Sequence, residues 1–136
     1  MIRVTIPLKL PSCNDYINAC RKNRYAGAEL KRRTEDSIIK HLEYIPEFKK
    51  PVKINFTWVE ENKRRDLDNI CFAKKFILDA LVKAGKLKDD NRKIVTAFED
   101  NFEYGDKAKV IMEISEVLYL WINMKKNKSK QCKDTY

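Results

Sequence analysis

The chain has 136 residues, with 29 Lys and Arg against 20 Asp and Glu, a formal net charge of +9 and a pI near 9.4. That length suits one domain, and 43% hydrophobic residues are enough to bury a core, which excludes wholesale disorder. No apolar run approaches the roughly 20 residues that span a bilayer; the longest candidate, residues 117–124, is far too short.

In chain order, Ile2–Ile6 reads as a short strand ended by Pro7 and Pro11. Residues 11–27 are polar and read as irregular, mixing Asn14, Tyr16, Arg21, Lys22, Arg24 and Tyr25. Residues 28–44 read as a helix with Leu30, Ile38, Leu42 and Ile45 near one stripe. Val52, Ile54, Phe56 and Trp58 then alternate with Lys53, Asn55 and Thr57, the pattern of a half-buried strand. After a charged loop, residues 69–84 read as a second helix, capped by Asp66 or Asp68 and stopped by Gly85. Residues 94–104 and 107–116 read as two strands joined in a hairpin at Gly105-Asp106. The expected fold is α+β: a single domain over residues 1–116, β-α-β-α-β-β, with a mixed sheet and two main helices. Residues 117–136 form a basic tail, with a short helix around Leu118 to Ile122 before it frays.

The first ten residues lack the long apolar stretch of a secretory signal. Cys13, Cys20, Cys71 and Cys132 stand far apart without a C-x-x-C pair, and His41 is the single histidine. A structural zinc site is therefore not expected, and the cysteines read as free thiols of a reducing, cytoplasmic compartment. Cys71 reads as core packing, as do Phe56 and Trp58, and His41 as a flanking residue with no catalytic part. Chemistry here has to rest on carboxylates, lysines and arginines, or on a metal held by oxygen ligands.

The positive charge favours a polyanionic partner, nucleic acid first. It is unevenly placed: residues 1–50 hold 11 basic against 6 acidic residues, and residues 51–100 hold 11 against 9. The acids therefore concentrate in the middle of a basic chain. There Lys63-Arg64-Arg65 precede Asp66-Leu67-Asp68-Asn69, and Asp89-Asp90 follow later. On an extended segment Asp66 and Asp68 share one side. Two such carboxylates and a third brought in by the fold supply the oxygen ligands that Mg²⁺ prefers, with Mn²⁺ as the alternative. Lys63, Arg64 and Arg65 would counter phosphate charge, and Arg21, Lys22 and Arg24, interleaved with Tyr16 and Tyr25, suit a DNA-contacting loop. The competing reading is bland: Asp66 or Asp68 merely caps the helix, and Asp89-Asp90 is a solvated turn.

The run Arg65-Asp66-Leu67-Asp68-Asn69, then Lys75-Phe76-Ile77-Leu78-Asp79-Ala80-Leu81, Ala84-Gly85 and Asp89-Asp90, resembles the signature of RusA-type Holliday junction resolvases. Pro11-Ser12-Cys13-Asn14-Asp15-Tyr16 is similar to that family's entry motif, although Leu10 replaces a proline and Tyr16 is differently spaced. The resemblance implies a Mg²⁺-dependent homodimeric endodeoxyribonuclease that cuts four-way DNA junctions in recombination and repair. It makes Asp66, Asp68 and Asp90 the metal-binding catalytic carboxylates and Lys75 the essential lysine. Lys74 is the alternative, because the stretch after Asn69 is longer than the family's. Asn14, Tyr16 and Asn69 lie within the matching motifs and join the expected DNA contacts. Two other functions compete: a non-catalytic basic nucleic-acid-binding protein, and a nuclease of broader branched-DNA preference. One geometric difficulty stands. A continuous helix over residues 70–84 would be roughly 22 Å long, and Asp90 must return along it to reach Asp66 and Asp68. Either the helix starts later, the return is extended, or a site draws on two subunits.

Overall fold

The computed structural model describes residues 1–118 and 125–128. Its elements are β1 (Ile2–Ile6), α1 (Cys13–Lys22), α2 (Ala26–Ile39), β2 (Val52–Glu60), α3 (Leu67–Cys71), α4 (Lys74–Lys83), β3 (Val95–Tyr104) and β4 (Lys109–Glu116). They make one small α+β domain around a four-stranded mixed sheet ordered β1-β4-β2-β3. β4 runs antiparallel to both β1 and β2, while β2 and β3 are parallel. The alternating residues Ile54, Phe56 and Trp58 of β2 and Val110, Met112 and Ile114 of β4 are all buried. They share the core with Ile38 of α2 and with Phe76, Ile77 and Leu81 of α4, so the period-2 and period-3.6 patterns meet on one side of the sheet. No described helix is long and apolar enough to cross a membrane.

Four features depart from the sequence expectation. Residues 13–22 are helical: Ser12 Oγ accepts from the Asp15 N–H at 3.0 Å, and Asp15 Oδ2 accepts from the Ser12 N–H at 2.8 Å. This reciprocal capping box starts α1. The helix buries none of its residues fully and turns only a half-buried face of Cys13, Tyr16 and Ala19 inward. α2 ends at Ile39, and residues 40–45 continue as tight turns, with Leu42 N–H bonded to Ile39 O and Ile45 N–H to Leu42 O. Leu42 and Ile45 stay buried, which is why their spacing looked helical.

The third departure is that the expected helix over residues 69–84 is two helices. It breaks at Phe72 and Ala73, where Lys75 N–H turns back to Phe72 O three residues earlier. α4 ends as read, on Gly85 at φ 74°, with Gly85 N–H on Val82 O and Lys86 N–H on Leu81 O, a Schellman motif. Lastly, β3 and β4 form no hairpin. The α3–α4 crossover lays β3 parallel to β2, and β4 then takes β2's other edge, so β2 separates them. The Gly105 N–H bonds to Glu60 O at the end of β2. The expected apolar helix of the tail lies, from residue 119 on, outside the described residues.

Candidate functional site

Asp66 is the N-cap of α3, with an extended backbone (φ −69°, ψ 154°), yet its side chain makes no capping hydrogen bond. Asp68 is already inside α3, so the shared side of an extended segment does not describe the pair. Both side chains are exposed. Among the described residues, neither carboxylate accepts a hydrogen bond or meets a cation within salt-bridge distance. Next to them, Asn69 Oδ1 accepts the Asn14 N–H at 3.1 Å, tying the start of α1 to α3.

Lys75 occupies the first turn of α4, and its Nζ reaches both Asp79 Oδ1 at 3.0 Å and Asp90 Oδ2 at 3.4 Å. The return segment folds back far enough for Asp90 to meet Lys75, but among the described residues Asp90 is not gathered with Asp66 and Asp68 into a metal-holding group. Phe48 N–H on Lys86 O and Leu87 N–H on Leu81 O pin that segment, with Leu87 buried. Asp79 also bonds Lys31 of α2 at 2.9 Å, and Lys31 pairs with Glu35. An ion chain therefore runs Glu35–Lys31–Asp79–Lys75–Asp90. Burial alone would raise the Asp79 carboxyl, but hydrogen bonds from Lys31 and Lys75 overcome it and hold it below its ordinary value. The hydrogen bond to Asp79 raises the Lys75 ammonium above its ordinary value against desolvation. Lys75 is thus held as the ammonium by the two carboxylates.

Lys74 points elsewhere. Its Nζ lies 2.6 Å from Asp100 Oδ2 and 4.6 Å from the centre of the Phe98 ring, while Trp58 Nε1 donates to Asp100 Oδ1 at 2.8 Å. Of the two candidate lysines, Lys75 is the one that meets Asp90. The Lys74–Asp100–Trp58 group was not foreseen, because its members come from α4, β3 and β2. Beside it, burial pushes the Cys71 thiol up, which leaves it unreactive packing.

The expected DNA contacts divide. Arg65 is turned inward: it donates to Glu60 Oε1 at 2.8 Å and to Leu10 O at 2.9 Å, with Asp15 at 3.8 Å. Tyr16 packs its ring on Phe72 and Phe76, with centroids 5.7 and 5.8 Å away. Both are half-buried and serve the junction of α1 with α3 and α4. Lys63, which lies 5.6 Å from the Tyr104 ring, Arg64, Arg21, Lys22 and Arg24 are exposed.

The donor set of Asp66, Asp68 and Asp90 is all carboxylate oxygen, the chemistry that suits Mg²⁺. The structure brings Lys75 to Asp90 and Asn14 to Asn69. Among the described residues it gathers no three His, Cys, Asp or Glu side chains into a metal-holding group. No protein-family model matches this chain, and no curated protein matches it.

Proposed function

We propose that the chain is a divalent-metal-dependent endodeoxyribonuclease acting on branched DNA, four-way junctions foremost, as a homodimer in the cytoplasm. The observation that carries this reading is the pair Asp66 and Asp68: exposed, capping nothing and paired with nothing, in a segment where Glu60, Asp79, Asp90 and Asp100 all have cationic partners. Charged groups held without partners beside a basic run are available for a ligand. Asp66 and Asp68, with Asp90, would hold Mg²⁺, which when bound acidifies a water and polarises the scissile phosphodiester. Lys75, kept protonated by Asp79 and Asp90, donates to the phosphoryl oxygen or leaving oxygen as negative charge grows there. Lys63 and Arg64 neutralise phosphates, and Arg65 holds their loop to the domain through Glu60 and Leu10. A two-fold dimer suits a substrate that needs paired incisions. The free thiols Cys13, Cys20 and Cys71 support a reducing compartment.

One observation favours a second reading, a non-catalytic DNA-binding protein: the three carboxylates are not gathered into one group. A junction-cleavage assay with and without Mg²⁺, with flaps and linear duplex alongside, separates the two. The nuclease reading expects Mg²⁺-dependent cutting strongest on branched substrates and reduced at least about a hundred-fold in Asp68→Asn, with junction binding retained. Tight binding with no cutting by the wild type, or cutting that survives both Asp66→Asn and Asp68→Asn, overturns it.

A further inference from the structure

Three tyrosines project into solvent: Tyr44, Tyr104 and Tyr25, at 95%, 61% and 71% exposure. Their electrostatic settings differ. Tyr44 stands between Glu43 and Glu47, and Tyr104 has Lys63 5.6 Å from its ring but ends a strand that carries Glu99, Asp100 and Glu103 with Asp106 just beyond. Tyr25 follows Arg21, Lys22 and Arg24, and among the described residues none of these three cations pairs with a carboxylate. The Arg24 guanidinium lies 5.6 Å from the centre of the Tyr25 ring, a cation–π distance.

The turn that presents Tyr25 is rigid. Asn23 Oδ1 accepts the N–H groups of both Tyr25 and Ala26 at 2.9 Å, an Asx turn closing α1 onto α2. Behind it, a Cβ added to Gly27 would stand 2.4 Å from Cys20 Sγ and push that side chain aside. Beside the ring lies an open hollow of about 400 Å³ lined by Asn23, Tyr25, Ala26, Ala28, Glu29 and Arg32. Its acid, Glu29, is held by Arg32 at 2.7 Å, so the hollow adds no unpaired negative charge. An exposed ring at the edge of a small apolar-floored hollow, with Arg24 against it and Arg21 and Lys22 just before it in sequence, matches a nucleobase with its phosphates.

We infer that the turn of residues 23–25 is a stacking site for an unpaired base of branched DNA, with Tyr25 supplying the ring and Arg21, Lys22 and Arg24 the phosphate contacts. The inference rests on the reading that DNA is the partner, and it adds where the strand goes. α1 has 10 residues, about 15 Å at 1.5 Å per residue, and its other end is tied to Asn69 beside the acid pair. The stacking turn and the acid pair therefore lie at the two ends of α1.

The test uses the full chain in metal-free buffer and a four-way junction carrying a fluorescent adenine analogue either at the branch point or in mid-arm. Wild type and Tyr25→Phe should shift the branch-point signal, leave the mid-arm signal unchanged and bind alike. Tyr25→Leu keeps the bulk but not the ring's π-face, and at so exposed a position it leaves the fold intact. It should lose the branch-point shift and bind about 5- to 150-fold more weakly. If Tyr25→Leu binds and signals like the wild type while the wild type still binds junctions, the stacking site is overturned and the nuclease reading stands. If the wild type binds no DNA, both are overturned.

Discussion

Two sets of carboxylates lie close together in this domain and are treated in opposite ways. Glu60, Asp79 and Asp100 are half-buried or buried, and each is held by a lysine or arginine. Asp66 and Asp68 are exposed and hold nothing. The first set joins elements that the chain visits far apart: Asp100 ties β3 to α4, and Asp79 ties α4 to α2. The second joins nothing, and sits on a five-residue helix whose start it does not cap. Acids that tie elements together are therefore distinguishable from Asp66 and Asp68 by their partners, while Asp90, held only by the largely exposed Lys75 among the described residues, stands between the two kinds.

That contrast predicts a graded series in stability. The largest effect belongs to Arg65→Met, which leaves Glu60, 8% exposed, and the Leu10 carbonyl without their donor. Breaking such a buried pair costs about 3 kcal/mol, measurable as a lower urea midpoint, while junction affinity changes little. A tenfold loss of DNA affinity at unchanged stability would instead put Arg65 in the interface. Asp79→Asn is intermediate, about 1 kcal/mol at neutral pH, discounted because Lys75 is largely exposed. Its pH dependence has a definite sign. A carboxylate depressed in the folded state stabilises above its ordinary value near about 3.9 and ceases to do so as pH falls through its folded value. Wild type and variant should therefore converge in acid; a gap that persists there would mean packing, not charge, is at work. At the bottom of the series, Asp66→Asn with Asp68→Asn should move stability by no more than about 0.5 kcal/mol in either direction. A loss well beyond that would reveal a structural partner and dissolve the contrast.

The elements with a buried stripe were legible in the sequence. The alternation of β2 and β4, the apolar face of α4 and the glycine that stops it needed only periodicity and one positive φ. What a buried stripe did not announce was α1, which buries no residue fully; its signals are the Ser12-x-x-Asp15 box and the short half-buried face of Cys13, Tyr16 and Ala19. Gly105-Asp106 misled because a turn dipeptide reports a reversal of the chain, not which strand ends up alongside. Asp66, Asp68, Asp90 and Lys75 were picked out as a linear motif, and the contact of Lys75 with Asp90 gives two of them a shared location. The Lys31–Asp79 and Lys74–Asp100–Trp58 contacts were not legible because their members, though Asp79 and Lys74 stand in the motif, come from different elements that only the folded chain brings together.

Among the described residues β1 pairs with no strand but β4, Ile2 opposite Ile114 and Ile6 opposite Val110. β1 is thus seated only once a strand more than a hundred residues further along the chain has formed. Until then Val4 and Ile6 have no place in the core they later share. Pairings this distant in sequence also slow folding through the entropy of closing the intervening chain. A truncation that removes β4 would strip the domain of both its termini's anchorage at once, leaving β1 unpaired and one edge of β2 open.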